Sequence, residues 1–262
     1  MRELERHPQT LSAHALALPP SVAIVGRGRL GSALAAALSD AGVAVDGPLS
    51  RGAAPTEADA VLLCVPDGEI AAAAALIGAG APVGHCSGAT GLAVLAPHEA
   101  FSLHPLMTFT ADSSPARFAG AGAAVAGSTP AALELAVGLA RALDMRPVEI
   151  DEADRAAYHA AASIASNFLV TLEAAAERLA ASAGMDRALL VPLVRATVDN
   201  WARLGPERAL TGPAARGDLQ TVERQREAVY ERAPELVALF DALVDVTRAD
   251  VAAAAEPEAA LG

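Results

Sequence analysis

Several residue groups in this sequence have types and spacings suited to chemistry. The first is Gly26-Arg27-Gly28-Arg29-Leu30-Gly31, directly after Val22-Ala-Ile-Val25. A G-x-G-x-x-G run between a β-branched stretch and an alanine-rich one reads as a diphosphate cradle, against the alternative of a structural glycine turn. Gly26 permits the tight turn, Gly28 lets backbone approach the phosphates, and Gly31 allows close packing of helix on strand. The helix beginning there turns its free N–H groups and positive dipole end toward an anion. These six residues are expected to contact a dinucleotide.

The identity of that dinucleotide rests on the end of the second strand. Asp46 lies twenty residues past Gly26, where an acid that binds the ribose would favour NAD. Pro48 interrupts the stretch just after it, and Ser50-Arg51 offers a hydroxyl and a guanidinium to a 2′-phosphate. Arg27 and Arg29 add positive charge. The balance favours NADP (NADPH) and leaves NAD open, and Arg51 can also be read as a solvated loop cation. Val65-Pro66-Asp67 follows the third strand. Pro66 stops that strand and Asp67 is expected to cap the next helix, with backbone contact to the cofactor.

A candidate chemical centre is Phe101-Ser-Leu-His104-Pro105. It puts a histidine at an expected strand end, before a proline that fixes the backbone. Reduction of a carbonyl or imine needs a donor for the developing negative charge. His104 is the leading candidate, against a structural role. One strand earlier, His85 is expected to be structural. Ser87 is read either as a hydrogen-bond partner of substrate or nicotinamide, or as a residue that shapes its turn. Farther on, Tyr158, His159, Ser163 and Asn167 lie in a helical run, and the spacing of four places His159, Ser163 and Asn167 on one side of it. Such a stripe demands a polar partner. A substrate cleft and a helix or dimer contact both satisfy it. Arg216, in Thr211-Gly-Pro-Ala-Ala-Arg216-Gly-Asp218, is suited to a substrate carboxylate or to pinning its loop through Asp218.

Composition narrows the chemistry. The 262 residues contain no lysine, so all 19 basic residues are arginines, and Schiff-base or ammonium-acid mechanisms are excluded. A net charge of −12 disfavours nucleic acid or an anionic membrane as partner. The two cysteines, Cys64 and Cys86, lack metal-ligand spacing and read as buried thiols. No metal site is expected. Neither a secretory signal nor a membrane span is apparent, which fits a cytoplasmic enzyme.

The elements that must position these residues divide the chain. Residues 1–20 read as an N-terminal arm. Across 21–150, β-branched runs alternate with helical ones, with strands expected at Val22–Val25, Val43–Val45, Ala60–Val65, Val83–Cys86, Ala100–Leu103, Ala123–Val125 and Val148–Ile150. Residues 151–262 read as helices. Asp154–Ala183 is the first, with Ile164, Phe168, Leu172 and Leu179 as its core face. Gly184, Gly205-Pro206 and Pro234 break the run, and Asp186 and Asp218 cap helices. The fold class expected is α/β: an N-terminal Rossmann-type, doubly wound and mainly parallel sheet followed by an all-α C-terminal domain.

Taken together, Gly26-Arg-Gly28-Arg-Leu-Gly31, Leu49-Ser50-Arg51, Val65-Pro66-Asp67, His85-Cys-Ser87-Gly88, Ser102-Leu-His104-Pro105-Leu, Tyr158-His159-Ala-Ala-Ala, Ala165-Ser166-Asn167-Phe-Leu-Val and Leu210-Thr211-Gly-Pro213-Ala-Ala-Arg216-Gly217-Asp218 resemble a bacterial family. Its members join a Rossmann-like domain to a helical domain of unknown function numbered 2520 (DUF2520). The family is similar in architecture to the 6-phosphogluconate dehydrogenase-like reductases, pyrroline-5-carboxylate reductase among them, and some relatives resemble an alternative ketopantoate reductase.

The resemblance implies NADPH-dependent reduction of a small 2-oxo acid such as ketopantoate. The usual ketopantoate reductases use a catalytic lysine, which this chain lacks, and Asn167 occupies a comparable region. The expectation is that His104 and Asn167 are catalytic, with Ser87, Tyr158, His159, Ser163 and Arg216 at the substrate. The alternatives are an imine reductase resembling pyrroline-5-carboxylate reductase and a non-catalytic NADP(H)-sensing module. The apolar helical half further suggests a homodimer.

Overall fold

The computed structural model of the chain describes residues 18–55, 57–110 and 115–259. The expected N-terminal arm lies outside them, apart from Leu18, Pro19 and Pro20. The chain divides into two compact units, the first ending at Ser166 and the second beginning at Asn167. The sequence places the change of texture one helix earlier, near residue 151.

The first unit is built on the seven strands β1 (Ser21–Val25), β2 (Ala44–Leu49), β3 (Ala60–Leu63), β4 (Val83–His85), β5 (Ala100–Leu106), β6 (Gly122–Gly127) and β7 (Arg146–Glu149). They form one sheet in the order β2-β1-β3-β4-β5-β6-β7. Every neighbouring pair is parallel except β5 and β6. After β2 the chain returns to the other side of β1, so the order reverses beside β1. In open α/β sheets that reversal opens a ligand crevice at the carboxyl ends of the strands.

Alternation along the strands divides the core in two. Val22, Ile24, Leu62, Phe101 and Leu103 face one layer, with Leu34 and Leu38 of helix α1 (Arg29–Asp40) and Leu139 of α3 (Pro130–Ala142). Ala23, Val25, Val61, Leu63 and Val83 face the other, with Ile70 of the short helix α2 (Ile70–Ala74). A period of two is what a strand buried on both faces imposes.

The observed strands correct some expected ends. β2 runs on through Asp46 and Pro48 to Leu49, with a register shift opposite Ala23 and Val25 and a cis Gly47-Pro48 bond. β3 and β4 stop before Cys64 and Cys86. β5 does not end before His104. It continues to Leu106 because β6 pairs with it antiparallel, His104 opposite Ala124 and Leu106 opposite Gly122.

Helix α4 (Arg155–Ser163) follows β7 in the same unit. The expected single helix 154–183 is divided: a π-helical turn, Ile164–Phe168, separates α4 from α5 (Leu169–Ser182). Two residues of its expected core face, Ile164 and Phe168, are 63% and 59% exposed, since nothing in the described chain covers them.

The second unit is helical: α5, α6 (Arg187–Leu204), α7 (Pro206–Ala209), α8 (Leu219–Arg232) and α9 (Val237–Ala259). Its breaks lie where the sequence puts them. Gly184 and Gly205 take positive φ after α5 and α6, and the Asp186 and Asp218 carboxylates accept from Ala188 N and Thr221 N, capping α6 and α8. Arg226 on α8 holds Asp241 on α9 through two bonds of 2.8 and 3.0 Å. Among the described residues no helix is long and apolar enough to cross a membrane.

Candidate functional site

The glycine loop leaves β1 at the reversal of strand order. Gly26 has φ +128°, and a Cβ there would stand 2.2 Å from the Cys64 carbonyl oxygen. A Cβ on Gly31 would stand 2.0 Å from the Gly26 carbonyl oxygen. The protein's own packing therefore demands both glycines. Gly28 is different, because a Cβ on it meets nothing within 4 Å. Its bareness serves no internal contact, as expected where a ligand needs the room. Gly28 also caps α1 without any side-chain bond, and the first turn of α1 holds no acid. Free N–H groups and an open approach fit a diphosphate.

The two sides of the ribose question lie close by. Arg27 Nε donates to the Pro48 carbonyl at 3.2 Å, which ties the loop to the end of β2. Arg51 donates to Glu69 at 2.7 Å in an exposed ion pair. Ser50, Arg51 and Asp46 are all exposed. Beyond β3, Asp67 does not cap a helix through its side chain. Its carboxylate instead accepts from the Ser87 hydroxyl at 2.8 Å.

Ser87 is fully committed to that turn. Its proton goes to Asp67, and its oxygen accepts from Ala89 N and Thr90 N. Of the two readings, turn-shaping is the one these bonds describe. His85 is also engaged at both nitrogens: Nδ1 accepts from Ser87 N and Nε2 faces the Gly91 carbonyl. Burial lowers its pKa, which matches a neutral ring that donates from Nε2.

His104, the candidate for the chemistry, is met by the helix that follows β7. Ser102 and His104 leave the face of β5 opposite Phe101 and Leu103, and α4 reaches both. Arg155 donates to the Ser102 hydroxyl at 3.3 Å, and Tyr158 Oη lies 2.6 Å from His104 Nδ1. A spacing of two along the strand is thus met by a spacing of three along the helix. His159 stands edge-on to His104 with ring centres 6.0 Å apart. Gly88 lies against both rings: a Cβ there would be 2.7 Å from His159 and 2.9 Å from His104.

The electrostatics favour neutral partners. Burial, and then the neighbouring His159, lower the His104 pKa to about 4. Burial pushes the Tyr158 hydroxyl up to about 12, opposed by the charge of Arg155. Tyr158 O–H can donate to Nδ1, leaving the imidazole proton on Nε2. Arg155 is itself 3% exposed, with Glu152 3.4 Å away as a second partner. Arg155 is not marked by any motif in the sequence. Its only signal is a cation three residues before Tyr158 on the same helix.

Ser163 is half-buried at the end of α4, and Asn167 is exposed in the π-helical turn, at the start of the second unit. The spacing of four from Ser163 to Asn167 therefore crosses a segment of different period. Arg216 is exposed in the loop before α8. Among the described residues no group of three or more His, Cys, Asp or Glu side chains could hold a metal ion.

Residues 122–247 match the family described as Domain of unknown function (DUF2520). The chain carries a DUF2520 domain. It starts at β6, so Arg155, Tyr158 and His159 belong to the DUF2520 region while His104 and the glycine loop precede it. No curated protein matches the sequence. Solved structures share the fold. A provisionally named NADP oxidoreductase from Bacteroides fragilis is 19% identical with a TM-score of 0.76, over 87% of this chain and 98% of its own. Protein TM1727 from Thermotoga maritima is 24% identical with a TM-score of 0.77, over 88% and 99%. A 1-pyrroline-5-carboxylate reductase from Streptococcus pyogenes is 14% identical with a TM-score of 0.57, over 88% and 97%. The DUF2520 region therefore takes in the last two strands of the Rossmann-type sheet and helices that follow it, in a fold shared with these structures.

Proposed function

We propose that this chain is an NADPH-dependent oxidoreductase that reduces a small 2-oxo acid, with ketopantoate as the first substrate to test. The observation that carries the reading is the His104–Tyr158 pair, at the same sheet edge as the glycine loop. The named activities of the Bacteroides and Streptococcus fold relatives support it.

The glycine loop and the N-terminus of α1 would hold the diphosphate. Ser50 and Arg51 would take the 2′-phosphate, and the backbone at Val65 and Pro66 would lie along the cofactor. When bound, the cofactor supplies hydride to the carbonyl carbon. The protein's part is to manage the oxygen. His104 donates from Nε2 to the carbonyl oxygen, which gains negative charge as the carbon is reduced. The Nε2 proton passes to that oxygen as Nδ1 takes the proton of Tyr158, and Arg155 stabilises the phenolate left behind. A neutral imidazole suits this relay because it neither repels a cation nor binds a carboxylate unproductively. His159, edge-on to His104, is proposed to contact the substrate beside it.

The second unit is proposed to contribute to substrate binding and to dimerisation. Phe168, Leu189, Leu193 and Trp201 are each more than half exposed, a surface that suits a homodimer. A monomer mass at micromolar concentration would contradict this.

The test of function is absorbance at the nicotinamide band with NADPH and a panel of 2-oxo acids and cyclic imines. Oxidation with oxo acids, ketopantoate first, supports the proposal. Turnover with imines alone moves the chain to the imine reductases. Binding of NADPH with no turnover on any member of the panel would make it a sensor.

A further inference from the structure

Cys64 and Cys86 are the two cysteines of the sequence, and both thiols are free. They follow β3 and β4, neighbouring parallel strands whose register pairs Leu63 with His85. The next position on each strand brings Cys64 beside Cys86. Paired side chains on a parallel ladder leave the same face, and the two Sγ atoms are 3.7 Å apart. Paired strands run about 4.8 Å apart, within the Cα separation a disulfide spans. Cys86 is buried while Cys64 is partly exposed, so a small oxidant meets Cys64 first.

We propose that Cys64 and Cys86 are a site of reversible oxidation, closed to an intrachain disulfide by a hydroperoxide, and that closing it weakens dinucleotide binding. Cys64 sulfur attacks one peroxide oxygen, the O–O bond breaks, and an alcohol or water leaves with Cys64 as sulfenic acid. Cys86 sulfur then attacks Cys64 sulfur. The S–S bond forms, the S–O bond breaks, and hydroxide departs as water with the proton from Cys86. Two thiols lose two electrons and two protons, and the peroxide takes up both. Cys86 is suited to this second role, because its hydrogen bond with Cys64 and its burial hold its pKa up and keep it from reacting alone.

The consequence for binding rests on the functional reading above. Cys64 supports the glycine loop: a Cβ on Gly26 would stand 2.2 Å from the Cys64 carbonyl oxygen, and one on Gly31 3.2 Å from Cys64 Cβ. Bringing the sulfurs to about 2.05 Å draws Cys64 toward β4 and away from the loop it props.

The test uses the full chain, reduced and then treated with a few equivalents of hydrogen peroxide. Intact mass under denaturing, non-reducing conditions, thiol counting and NADPH titration are read on one sample. The expected result is a monomer lighter by about 2 Da with no reactive thiol. NADPH affinity should fall by about tenfold, roughly one lost hydrogen bond to a charged group. Dithiothreitol restores both. Neither Cys64→Ser nor Cys86→Ser should form such a disulfide, and peroxide should not lower the affinity of Cys86→Ser as it does that of the parent chain. Two titratable thiols after treatment, oxygen additions in place of the mass loss, or a disulfide with unchanged affinity would each overturn the proposal. A reduced protein that binds no dinucleotide overturns the functional reading and the binding consequence together, while the mass still decides whether the disulfide forms.

Discussion

Tyr158 holds its hydroxyl 2.6 Å from Nδ1 of His104, joining a helix to a strand 54 residues earlier in the chain. If the two act as one relay, removing either removes the function of both. Tyr158→Phe and His104→Gln should each lower kcat by about a hundredfold with little change in KM, the usual size of a general-acid contribution. The double variant should be no slower than the worse single one. Steady-state kinetics on the three variants checks this, and additive losses would separate the residues.

His104 also makes stability depend on acidity. Its folded pKa of about 4 lies below the unfolded value of about 6.5. Between those values the unfolded chain binds a proton that the folded one refuses, so stability falls as pH falls through that window. The expected loss from pH 7 to pH 4 is roughly 3 kcal/mol at most from this residue. His85, also lowered, adds in the same direction. Denaturant unfolding across the window should show a shallower slope in His104→Gln than in the parent chain.

The glycines of the loop separate folding from binding. A Cβ on Gly28 meets nothing within 4 Å, whereas one on Gly31 meets the Gly26 carbonyl at 2.0 Å. Gly28→Ala should therefore keep the parent Tm and bind NADPH at least about tenfold more weakly. Gly31→Ala should lower stability itself by about 1–3 kcal/mol. Thermal unfolding and calorimetric titration on both variants decide it.

Much of the first unit is legible because its physics is local. Val22–Val25 is rich in β-branched residues, Ala60–Leu63 is apolar throughout, and Gly26, Gly28 and Gly31 carry their own spacing. Asp186 and Asp218 announce helices that do begin there. What the sequence hides depends on partners far along the chain. Pro105 reads as the end of a strand, yet pairing with β6 carries β5 on to Leu106. Asp67 reads as a helix cap, yet Ser87 claims its carboxylate. Arg155 gives no sign that it will be buried beside His104 and Tyr158. Ile164 and Phe168 have core spacing, but helical period cannot say what lies opposite.

The proposed preference for NADPH rests on Arg51. Its 2.7 Å bond to Glu69 is an exposed ion pair, and such pairs contribute about 1 kcal/mol or less. A 2′-phosphate can displace it. Arg51→Ala should weaken NADPH by about tenfold and leave NADH nearly unchanged. Glu69→Gln should tighten NADPH alone by a few-fold. Equal effects on both dinucleotides would place the 2′-phosphate elsewhere.

In the proposed function the glycine loop binds NADPH and His104 serves the chemistry. Titrating the parent chain and His104→Gln with NADPH, then adding ketopantoate and following the nicotinamide absorbance, examines both parts on one sample. Both proteins should bind NADPH with similar affinity, and only the parent should oxidise it at an appreciable rate. Equal turnover by His104→Gln, or no NADPH binding by the parent, would contradict that function.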